Sequence, residues 1–409
     1  SYYVGNYNAP LALNTTGSSN SAIGVGALSS NTTASYNTGV GYAALAANTT
    51  GDRNLAVGIS ALTANTTGES NTALGANALD SNTTASNNTA VGKSSLSANT
   101  TGSQNTAVGA NSLDANTTGN YNAGFGQQTL SANTTGTENT SIGTFSMVQN
   151  STGSFNTALG AGALFSNGTG NDNVAIGLEA MRNTTANDNT AVGYKALKES
   201  DGDNNTAVGH SALVANTTGI ENVGLGSSAG DAITTGRGNI CIGHGATTTT
   251  SDRLFSITMG SNVASVGNYY FTFGVDAADH RVYNNFTSNA SWTRASDERI
   301  KKDISTNTDC GLDFVNDLRT VTYKFKAPSE LDSKMTGYDA SKKEPIYKKK
   351  MYGFVAQEVK AAMKTHNITD FAGHHEIEDG KDNMQGISYE MFVMPLVKAV
   401  QELSTQVDE

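Results

Sequence analysis

This chain of 409 residues has few cysteines, no long apolar run and fewer basic than acidic residues, and each of these features excludes a class of protein. It has only 2 cysteines, Cys241 and Cys310, and their neighbours form no metal or redox motif. A disulfide framework is therefore excluded, and we predict two free, buried thiols. No apolar run approaches the roughly 20 residues that a membrane-spanning helix needs, and nothing resembles a signal peptide. The formal net charge of -11 argues against nucleic acid as a partner, because phosphate binding needs clustered Lys and Arg.

Charge is scarce in only one part of the chain. Of the 25 Lys and Arg residues, 9 precede Asp297 and 16 come from Asp297 onward, and the 36 Asp and Glu residues divide into 16 and 20. So abrupt a shift predicts a boundary between two kinds of structure at Ser296 and Asp297. The sequence begins at Ser1 and not at Met, so we expect the natural chain to extend further at its N-terminus.

A 17-residue phrase fills most of the charge-poor part, and two of its copies are each one residue shorter. Each copy has a core such as Asn-Thr-Ala-Val-Gly at 105–109, which is typical of a short strand bounded by turn formers. A unit this short cannot fold alone, so the units should stack as coils of a parallel β-solenoid or β-roll. The 14 central asparagines are Asn20, Asn37, Asn54, Asn71, Asn88, Asn105, Asn122, Asn139, Asn156, Asn173, Asn189, Asn205, Asn222 and Asn239.

The strand of the repeat is apolar on both faces. Ala107 and Val108 are adjacent, so their side chains point in opposite directions, yet both positions are almost always apolar along the array. A narrow coil can cover one face with its own return segment but not the other. We therefore predict that other copies of the chain cover the second face, as a homotrimer about the axis of a rod about 65 Å long.

The polar columns of the repeat are interpreted as structural. Stacked Asn amides can form hydrogen bonds from coil to coil, and the Asn-Thr-Thr triplets, although they match the N-glycosylation pattern, form the turn of the repeat. The acidic residues at matching turn positions of neighbouring coils are interpreted as a solvated rim of the shaft in preference to a cation site. The aromatic residues at turns either contact a host surface or are scattered exposed aromatics of no special role. The residues concerned are Asp52 and Glu69, Asp172 and Asp188, and Tyr36, Tyr121 and Phe155.

The period is lost from Thr247 onward, so we assign residues 1–247 to the repeat shaft. Strands are predicted at 254–260 and 269–275. They define a β-rich neck over 248–296, which closes the open end of the solenoid.

Residues 297–409 predict a small α+β domain. Helices are expected at 311–318 and 356–366, and strands at 321–326 and 350–355. The last segment has the a/d seam of a coiled coil, which either packs on its own domain or self-associates. Its apolar residues, spaced 4, 3, 4, 3 and 4 apart, are Tyr389, Val393, Leu396, Val400, Leu403 and Val407.

Two resemblances follow from these motifs. The repeat of residues 14–247 resembles the head repeats of trimeric autotransporter adhesins and, more closely, the repeats of bacteriophage tail fibres. The C-terminal part resembles the endosialidase-type intramolecular chaperone domain, which lies at the C-terminus of phage tail spikes and fibres, trimerises the chain and cuts itself off. This second resemblance rests on Ser-Asp-Glu-Arg-Ile-Lys at 296–301, Gly-Leu-Asp-Phe-Val at 311–315, Val-Thr-Tyr at 321–323, Tyr-Gly-Phe-Val-Ala-Gln-Glu-Val at 352–359 and Leu-Val-Lys-Ala-Val-Gln-Glu-Leu at 396–403.

The chaperone resemblance implies a self-cleavage site. The family's scissile bond follows the Ser of its Ser-Asp pair, and a Lys five residues later forms a dyad with that Ser. Carried over, the cut falls between Ser296 and Asp297 with Lys301 as the base, while Ile300 stands where Leu is more usual. Such a dyad works when burial lowers the pKa of the Lys, so that its neutral amine can take the Ser proton.

The route of the cut is left open by the sequence. Ser296 precedes the bond that it would cut, so attack on its own carbonyl carbon gives a strained four-membered ring. A Ser296 from a neighbouring chain, or a water activated by Lys301, would avoid that strain. The alternative without chemistry is that Ser296 or Asp297 caps a helix running through Lys302.

The sequence therefore predicts a virion protein, a homotrimeric phage tail fibre for host attachment whose C-terminal domain drives folding and then removes itself, without acting on any external substrate. Expected partners are a host receptor, either a glycan or an outer-membrane component, and other tail proteins. The alternatives are a polysaccharide-degrading tail spike, which usually needs two carboxylates a fixed distance apart, and a bacterial surface adhesin. No cofactor or metal is expected, since the adjacent His374 and His375, near Glu376 and Glu378, point apart as ligands.

Overall fold

In a computed structural model of the chain, each 17-residue phrase forms one coil of a parallel β-solenoid. The structure describes residues 9–276, 280–287, 293–294, 298, 301–333, 335, 338–345, 349–377 and 384–408. The chain divides into two units, Ser1–Asp297 and Glu298–Glu409, here called the shaft unit and the terminal unit. Within the described ranges, no helix has the length and hydropathy to cross a bilayer.

Each coil of the shaft unit contributes one short strand. Strands β1 to β16 pair in parallel, each with the next along the chain, and two antiparallel strands, β17 and β18, follow them. The strands are β1 Ser21–Ile23, β2 Thr38–Val40, β3 Leu55–Val57, β4 Thr72–Leu74, β5 Thr89–Val91, β6 Thr106–Val108, β7 Ala123–Phe125, β8 Thr140–Ile142, β9 Thr157–Leu159, β10 Val174–Ile176, β11 Thr190–Val192, β12 Thr206–Val208, β13 Val223–Leu225, β14 Ile240–Ile242, β15 Ile257–Gly260, β16 Tyr270–Gly274, β17 Arg281–Asn285 and β18 Thr293–Arg294.

The interior of the shaft unit is narrow and built from small side chains. The middle residue of each strand, such as Ala90 or Ala107, points inward and is fully buried. A second column from Ala27 to Ala246 and a leucine column from Leu28 to Leu213 fill the rest of each coil. The predicted β-solenoid of 17-residue repeats is confirmed.

The leucine column adopts an uncommon backbone conformation. Leu28 has φ 51°, Leu113 has φ 53° and Leu213 has φ 50°, all in the left-handed region. For a side chain with a Cβ this conformation costs about 1–2 kcal/mol, whereas burying a leucine contributes about 1.5–3 kcal/mol. Burial therefore outweighs the local strain, and it holds the turn that follows each strand.

Glycine follows each strand because the next coil lies against it. Gly92 has φ +135°, and a Cβ built there would lie 2.5 Å from the carbonyl oxygen of Gly109 in the next coil. A side chain at this position would therefore push neighbouring coils apart as well as strain the backbone.

Two ladders of buried asparagine run along the shaft unit. In the strand ladder, which is the predicted column, each Asn Oδ1 accepts a hydrogen bond from the backbone N–H of the next Asn, as from Asn37 to Asn20 at 2.9 Å and from Asn122 to Asn105 at 2.9 Å. In the turn ladder, each Asn of an Asn-Thr-Thr-type turn donates through Nδ2 to Oδ1 of the Asn one coil earlier, at 2.8–3.1 Å. The turn ladder comprises Asn14, Asn31, Asn48, Asn65, Asn82, Asn99, Asn116, Asn133, Asn150 and Asn167.

Parallel stacking continues beyond residue 247, where the sequence analysis ends the shaft. Strand β14 pairs with β15 one full coil later, with Ile240 opposite Ile257, and β15 pairs with β16. The repeat sequence is lost there, but the inward-pointing strand position is retained. Thr258 and then Thr272 align with Cys241 in successive coils, and all three are buried. Two of the strands expected in the neck are thus further coils of the solenoid.

The terminal unit is a small α+β structure that ends in a helix, which confirms the predicted fold class. Strands β19 and β20 pair antiparallel, as do β21 and β22. The elements are α1 Leu312–Asn316, β19 Val321–Tyr323, a 3-10 turn Pro328–Glu330, β20 Met351–Gly353, α2 Ala356–Thr365, β21 His374–Ile377, β22 Met384–Ile387, a 3-10 turn Tyr389–Phe392 and α3 Val393–Asp408.

Candidate functional site

The predicted cleavage junction is only partly described. Ser296 and Asp297 lie outside the described residues, whereas Lys301 is described and exposed. The backbone N–H of Lys301 donates to the carbonyl oxygen of Glu298 at 3.1 Å. The pairing of Ser296 with Lys301 therefore stays a prediction.

Residues 301–309, which follow the junction, are exposed and form no helix or strand. Asn307 ends this segment, because its Oδ1 accepts hydrogen bonds from the backbone N–H groups of Asp309 at 3.1 Å and Cys310 at 3.2 Å. Cys310 then enters the core of the terminal unit, where desolvation raises the pKa of its thiol. Both cysteines are free and buried, as predicted, and burial raises the pKa of Cys241 to about 12.

An aromatic cluster holds the terminal unit together. Phe314 of α1 contacts Phe371 edge to face with ring centroids 5.7 Å apart, and Phe371 contacts Phe392 in the same way at 5.1 Å. The ring of His366 lies against Phe314, and its Nε2 is 2.7 Å from a carboxylate oxygen of Asp317. These contacts fix α1 against the end of α2.

The C-terminal helix is joined to α1 by a carboxylate. Glu402 of α3 accepts a hydrogen bond from the backbone N–H of Leu312 at 2.6 Å, and Lys398 lies 3.2 Å from the other oxygen of Glu402. The hydrogen bond from Leu312, and secondarily Lys398, lowers the pKa of Glu402. Gly311 permits this approach, since a Cβ there would lie 2.3 Å from Glu402 Oε2.

The apolar seam of α3 faces away from the terminal unit. Ala399 is only 5% exposed, whereas Val400 is 64% exposed and Val407 is 77% exposed. As the first of the two predicted alternatives has it, α3 packs on its own unit, through Pro395 and Ala399, while the seam residues of α3 stay exposed. Self-association through the seam stays a prediction. Tyr389, the first predicted seam residue, lies in the 3-10 turn before α3, and its hydroxyl accepts a hydrogen bond from Phe354 N at 3.1 Å.

The shaft unit has an exposed apolar face of its own. The third residue of each strand points outward, and Leu74 is 45% exposed and Phe125 40% exposed. This outward column comprises Ile23, Val40, Val57, Leu74, Val91, Val108, Phe125, Ile142, Leu159, Ile176, Val192, Val208, Leu225, Ile242, Met259 and Phe273. Within one chain the inward strand face is covered and the outward face is not.

Several other candidates from the sequence have structural roles. Apart from the half-buried Asn14, the asparagines of the turn ladder are buried, and their Asn-Thr-Thr-type triplets form turns as predicted. Asp52 accepts a hydrogen bond from Ser35 N at 2.7 Å, and Glu69 pairs with Arg53 at 2.6 Å, so each of these two acids has a protein partner of its own.

The two adjacent histidines lie on strand β21. His374 contacts Gln385 Oε1 at 3.1 Å, and His375 lies over Gly386. Glu378 is outside the described residues, and the part of the chain that is described contains no group of three or more His, Cys, Asp and Glu side chains placed to share a metal ion.

One comparison with known families bears on the junction. Residues 296–368 match the family model for the chaperone of endosialidase, a family of autoproteolytic chaperones. The match begins at Ser296, includes Lys301 and ends just after α2. No curated protein and no solved structure gave a match. A chaperone-of-endosialidase match that follows a β-solenoid shaft fits a tail fibre or tail spike.

Proposed function

We propose that this chain is a homotrimeric phage tail fibre for host attachment, whose terminal unit directs trimer assembly and is then removed by autoproteolysis between Ser296 and Asp297. The observation that carries the proposal is the family match that begins at Ser296, directly after a β-solenoid. Ser296 and Lys301 are the proposed catalytic pair, and the cut acts on no external substrate.

The outward column of the shaft supports the trimer. Covering the exposed remainder of a Leu or Ile side chain contributes on the order of 1 kcal/mol, and every coil presents one such residue. An exposed ion pair contributes roughly 0–1 kcal/mol, and charges are few along most of the shaft. Apolar association along this column is thus the largest stabilising term open to the shaft.

The seam of α3 supports the role of the terminal unit in assembly. Val393, Leu396, Val400, Leu403 and Val407 keep the 3, 4, 3, 4 spacing on one exposed helix face. A surface with this period is typical of a coiled coil, which nucleates from short-range contacts and aligns its chains in register. Three aligned helices would bring three shafts together at one end before the coils stack.

The exposure of Lys301 has a consequence for the chemistry. A Ser-Lys dyad needs a neutral amine, and burial is what lowers a Lys pKa enough to supply it. Lys301 is exposed within one chain. Under this proposal its burial comes from a neighbouring chain, so the cut follows assembly. A neighbouring Ser296, or a water activated by Lys301, remains the route without ring strain.

Intact-mass measurement of the purified chain tests the proposal. Wild type should give two pieces, 1–296 and 297–409, while Ser296→Ala and Lys301→Ala stay whole yet sediment as trimers. Lys302→Ala is the matched control, because it removes an adjacent exposed Lys and should leave the cut unchanged. A wild-type trimer that remains whole after long incubation would refute self-cleavage, and normal cutting by Lys301→Ala would refute the dyad.

A further inference from the structure

The repeat of the shaft makes its own alignment ambiguous. Neighbouring coils present nearly the same outward residues, such as Val91 and Val108, so a chain that slips by one coil against another keeps nearly the same contacts. An end clamp sets the alignment at one end only. A second marker within the shaft would have to differ from the regular coil.

Two coils within the repeat of residues 14–247 differ from the regular coil in length. Strands β10, β11 and β12 keep their register, with Val174 opposite Thr190 and Thr190 opposite Thr206, although each of these two coils is one residue shorter than a regular coil. The missing residue is therefore lost from the turn before the strand. Thr184 and Ser200 occupy the buried position that Asn holds in regular coils.

The substitution interrupts the turn ladder. Oδ1 of Asn167, which would accept from the next Asn, is buried and has no hydrogen-bond partner in the described part of the chain. The hydroxyl of Ser200 accepts from Nδ2 of Asn216 at 3.0 Å, after which the ladder position is taken by the buried Ile233. The short coils thus have a different turn and a locally weakened interior.

The same coils hold an unusual share of the charge. Residues 172–203, here called the charged band, contain nine charged side chains, whereas residues 14–171 contain seven. Four of the six acids in the band come shortly before a strand, and they are Asp172, Asp188, Asp201 and Asp203. The three bases, Arg182, Lys195 and Lys198, come after a strand, as do the other two acids, Glu179 and Glu199.

The order along the chain decides where these charges lie. Because β10, β11 and β12 are parallel, residues that come shortly before a strand lie at one edge of the sheet and residues that come shortly after a strand lie at the other. At the edge after the strands, Glu179 is 2.7 Å from Arg182 and 3.8 Å from Lys195, so two bases against one acid leave this edge positive. Lys198 and Glu199 lie about midway between β11 and β12, 3.3 Å apart, and together add no net charge. Four acids with no base leave the edge before the strands negative.

We propose that the charged band is an interaction surface for the same band of a second copy of this chain, and that it fixes the register of the shafts. The proposal rests on the proposed trimer, since in a cyclic assembly one edge of each chain faces the opposite edge of the next. Aligned bands bring the positive edge against the negative edge. If one chain slips by one coil, part of its charged band faces an uncharged coil of the neighbouring chain, and a short turn faces a regular turn. The charges therefore favour the aligned register over the slipped one.

Two deletions, each of one whole coil, test whether the charged band and the terminal unit must both be aligned between chains. Removing residues 206–222, between band and terminal unit, shortens their separation by one regular coil. Removing residues 106–122, on the far side of the band, is the matched control and leaves that separation intact. Each shortened chain is co-expressed with the full chain, and native mass spectrometry counts the mixed trimers.

The expected result is segregation in one case only. Chains lacking 106–122 should mix with full chains in statistical proportions, whereas chains lacking 206–222 should form mixed trimers at least tenfold less often. Statistical mixing of both shortened chains would overturn the proposal. If the unaltered chain forms no trimer, the proposed function fails instead, and this is checked first.

A charge variant tests the cause of segregation. Lys195→Gln and Lys198→Gln together, introduced into both partners of the 206–222 pair, should restore mixed trimers because the positive edge is lost. Lys93→Gln, which removes an exposed Lys from a regular coil, should not restore them. Unchanged segregation in the Lys195 and Lys198 variant would show that charge does not set the register.

Discussion

The shaft unit and the terminal unit reach stability in opposite ways. In the shaft each residue contacts its counterpart one coil away, and the same small set of Ala, Leu and Asn side chains recurs in every coil. In the terminal unit each contact occurs once, and Glu402 reaches Leu312 across 90 residues of sequence. Stacked repeats therefore accumulate stability without specifying alignment, whereas the terminal unit specifies one arrangement with few contacts.

The difference predicts a division of labour between the two units. A repetitive shaft is hard to dismantle once assembled, because every coil is held from both sides. It is equally hard to assemble correctly, because many alignments are nearly equal in energy. Under the proposed function, the terminal unit, with its unique fold and exposed seam, sets the alignment of the chains and is needed only during assembly.

Refolding after complete denaturation should show the largest effect. We expect the released shaft, residues 1–296, to persist as a trimer in heat and detergent but to regain almost none of it after denaturation, because its aligning unit is gone. Uncleaved Ser296→Ala should refold to a measurable yield. Dilution from denaturant followed by sedimentation checks both forms, and equal yields would show that residues 297–409 are not the assembly device.

Charge placed in the α3 seam should abolish assembly. Leu403→Glu would bury three carboxylates at a trimeric seam, and each uncompensated buried charge costs several kcal/mol. We expect monomers by sedimentation and, because Lys301 then stays exposed, no cut by intact mass. Gln401→Glu adds the same charge at an exposed position outside the seam and should assemble and cut normally. A trimer of Leu403→Glu that forms at the wild-type yield would show that the seam is not the interface.

Glycine substitutions should distinguish a position packed against the next coil from a position in an open turn. Gly92→Ala meets the carbonyl of Gly109 and holds an unfavourable φ, so it should destabilise each chain by about 1–3 kcal/mol. Gly168 has nothing within 4 Å of a built Cβ, so Gly168→Ala should stay within about 0.5 kcal/mol of wild type. Unfolding rates of the released shaft in guanidinium compare them, and equal rates would argue against close coil contact at Gly92.

The sequence was most informative about the shaft, because its period is a direct record of coil spacing. The apolar residues on both faces of Thr-Ala-Val predicted that one chain covers only one strand face, and the Asn column predicted hydrogen bonds from coil to coil. The turn ladder was missed, since Asn-Thr-Thr is equally typical of an ordinary exposed turn. The left-handed backbone of the Leu residues was missed too. A local sequence pattern indicates the cost of that conformation, whereas the free energy gained by burying Leu depends on the stacked coils.

The terminal unit was less predictable from the sequence for a different reason. Helices α1 and α2 and strands β19 and β20 were located to within a few residues from their periodicity, whereas β21 and β22 were not predicted. The contact of Glu402 with Leu312 joins distant segments, however, and no local pattern indicates it. The outward direction of the α3 seam likewise depends on which helix face Ala399 presents to α1. Ser296 remains assigned by resemblance alone, since it lies outside the described residues.

Acid should affect the two units in opposite directions. In the shaft, Asp80 and Asp114 are half-buried, and desolvation raises the pKa of each carboxyl above its ordinary 3.8. In the terminal unit, the hydrogen bond from Leu312 lowers the pKa of Glu402 below 4.5, and the hydrogen bond from Arg319 does the same for Glu358. A raised carboxyl pKa means that the folded state binds protons more readily than the unfolded state, and a lowered one means the reverse.

The smallest effect that we predict follows from this contrast. As the pH falls from 6 toward 4, the released shaft should melt at a slightly higher temperature, because protonation of Asp80 and Asp114 removes two poorly solvated charges. The released terminal unit should begin to melt at a lower temperature as the pH falls below 4.5 toward the lowered pKa values, because Glu402 and Glu358 lose partners that only the ionised form holds. Salt should weaken the second trend, since both of those carboxylates are near solvent.

The double variant Asp80→Asn and Asp114→Asn should remove the rise in the shaft's melting temperature at low pH, and Glu402→Gln should reduce the fall in the terminal unit's melting temperature. Melting curves of the two separated pieces at pH 6, 5 and 4 check both signs, and a shaft that loses stability in parallel with the terminal unit would show that desolvation does not dominate at Asp80 and Asp114.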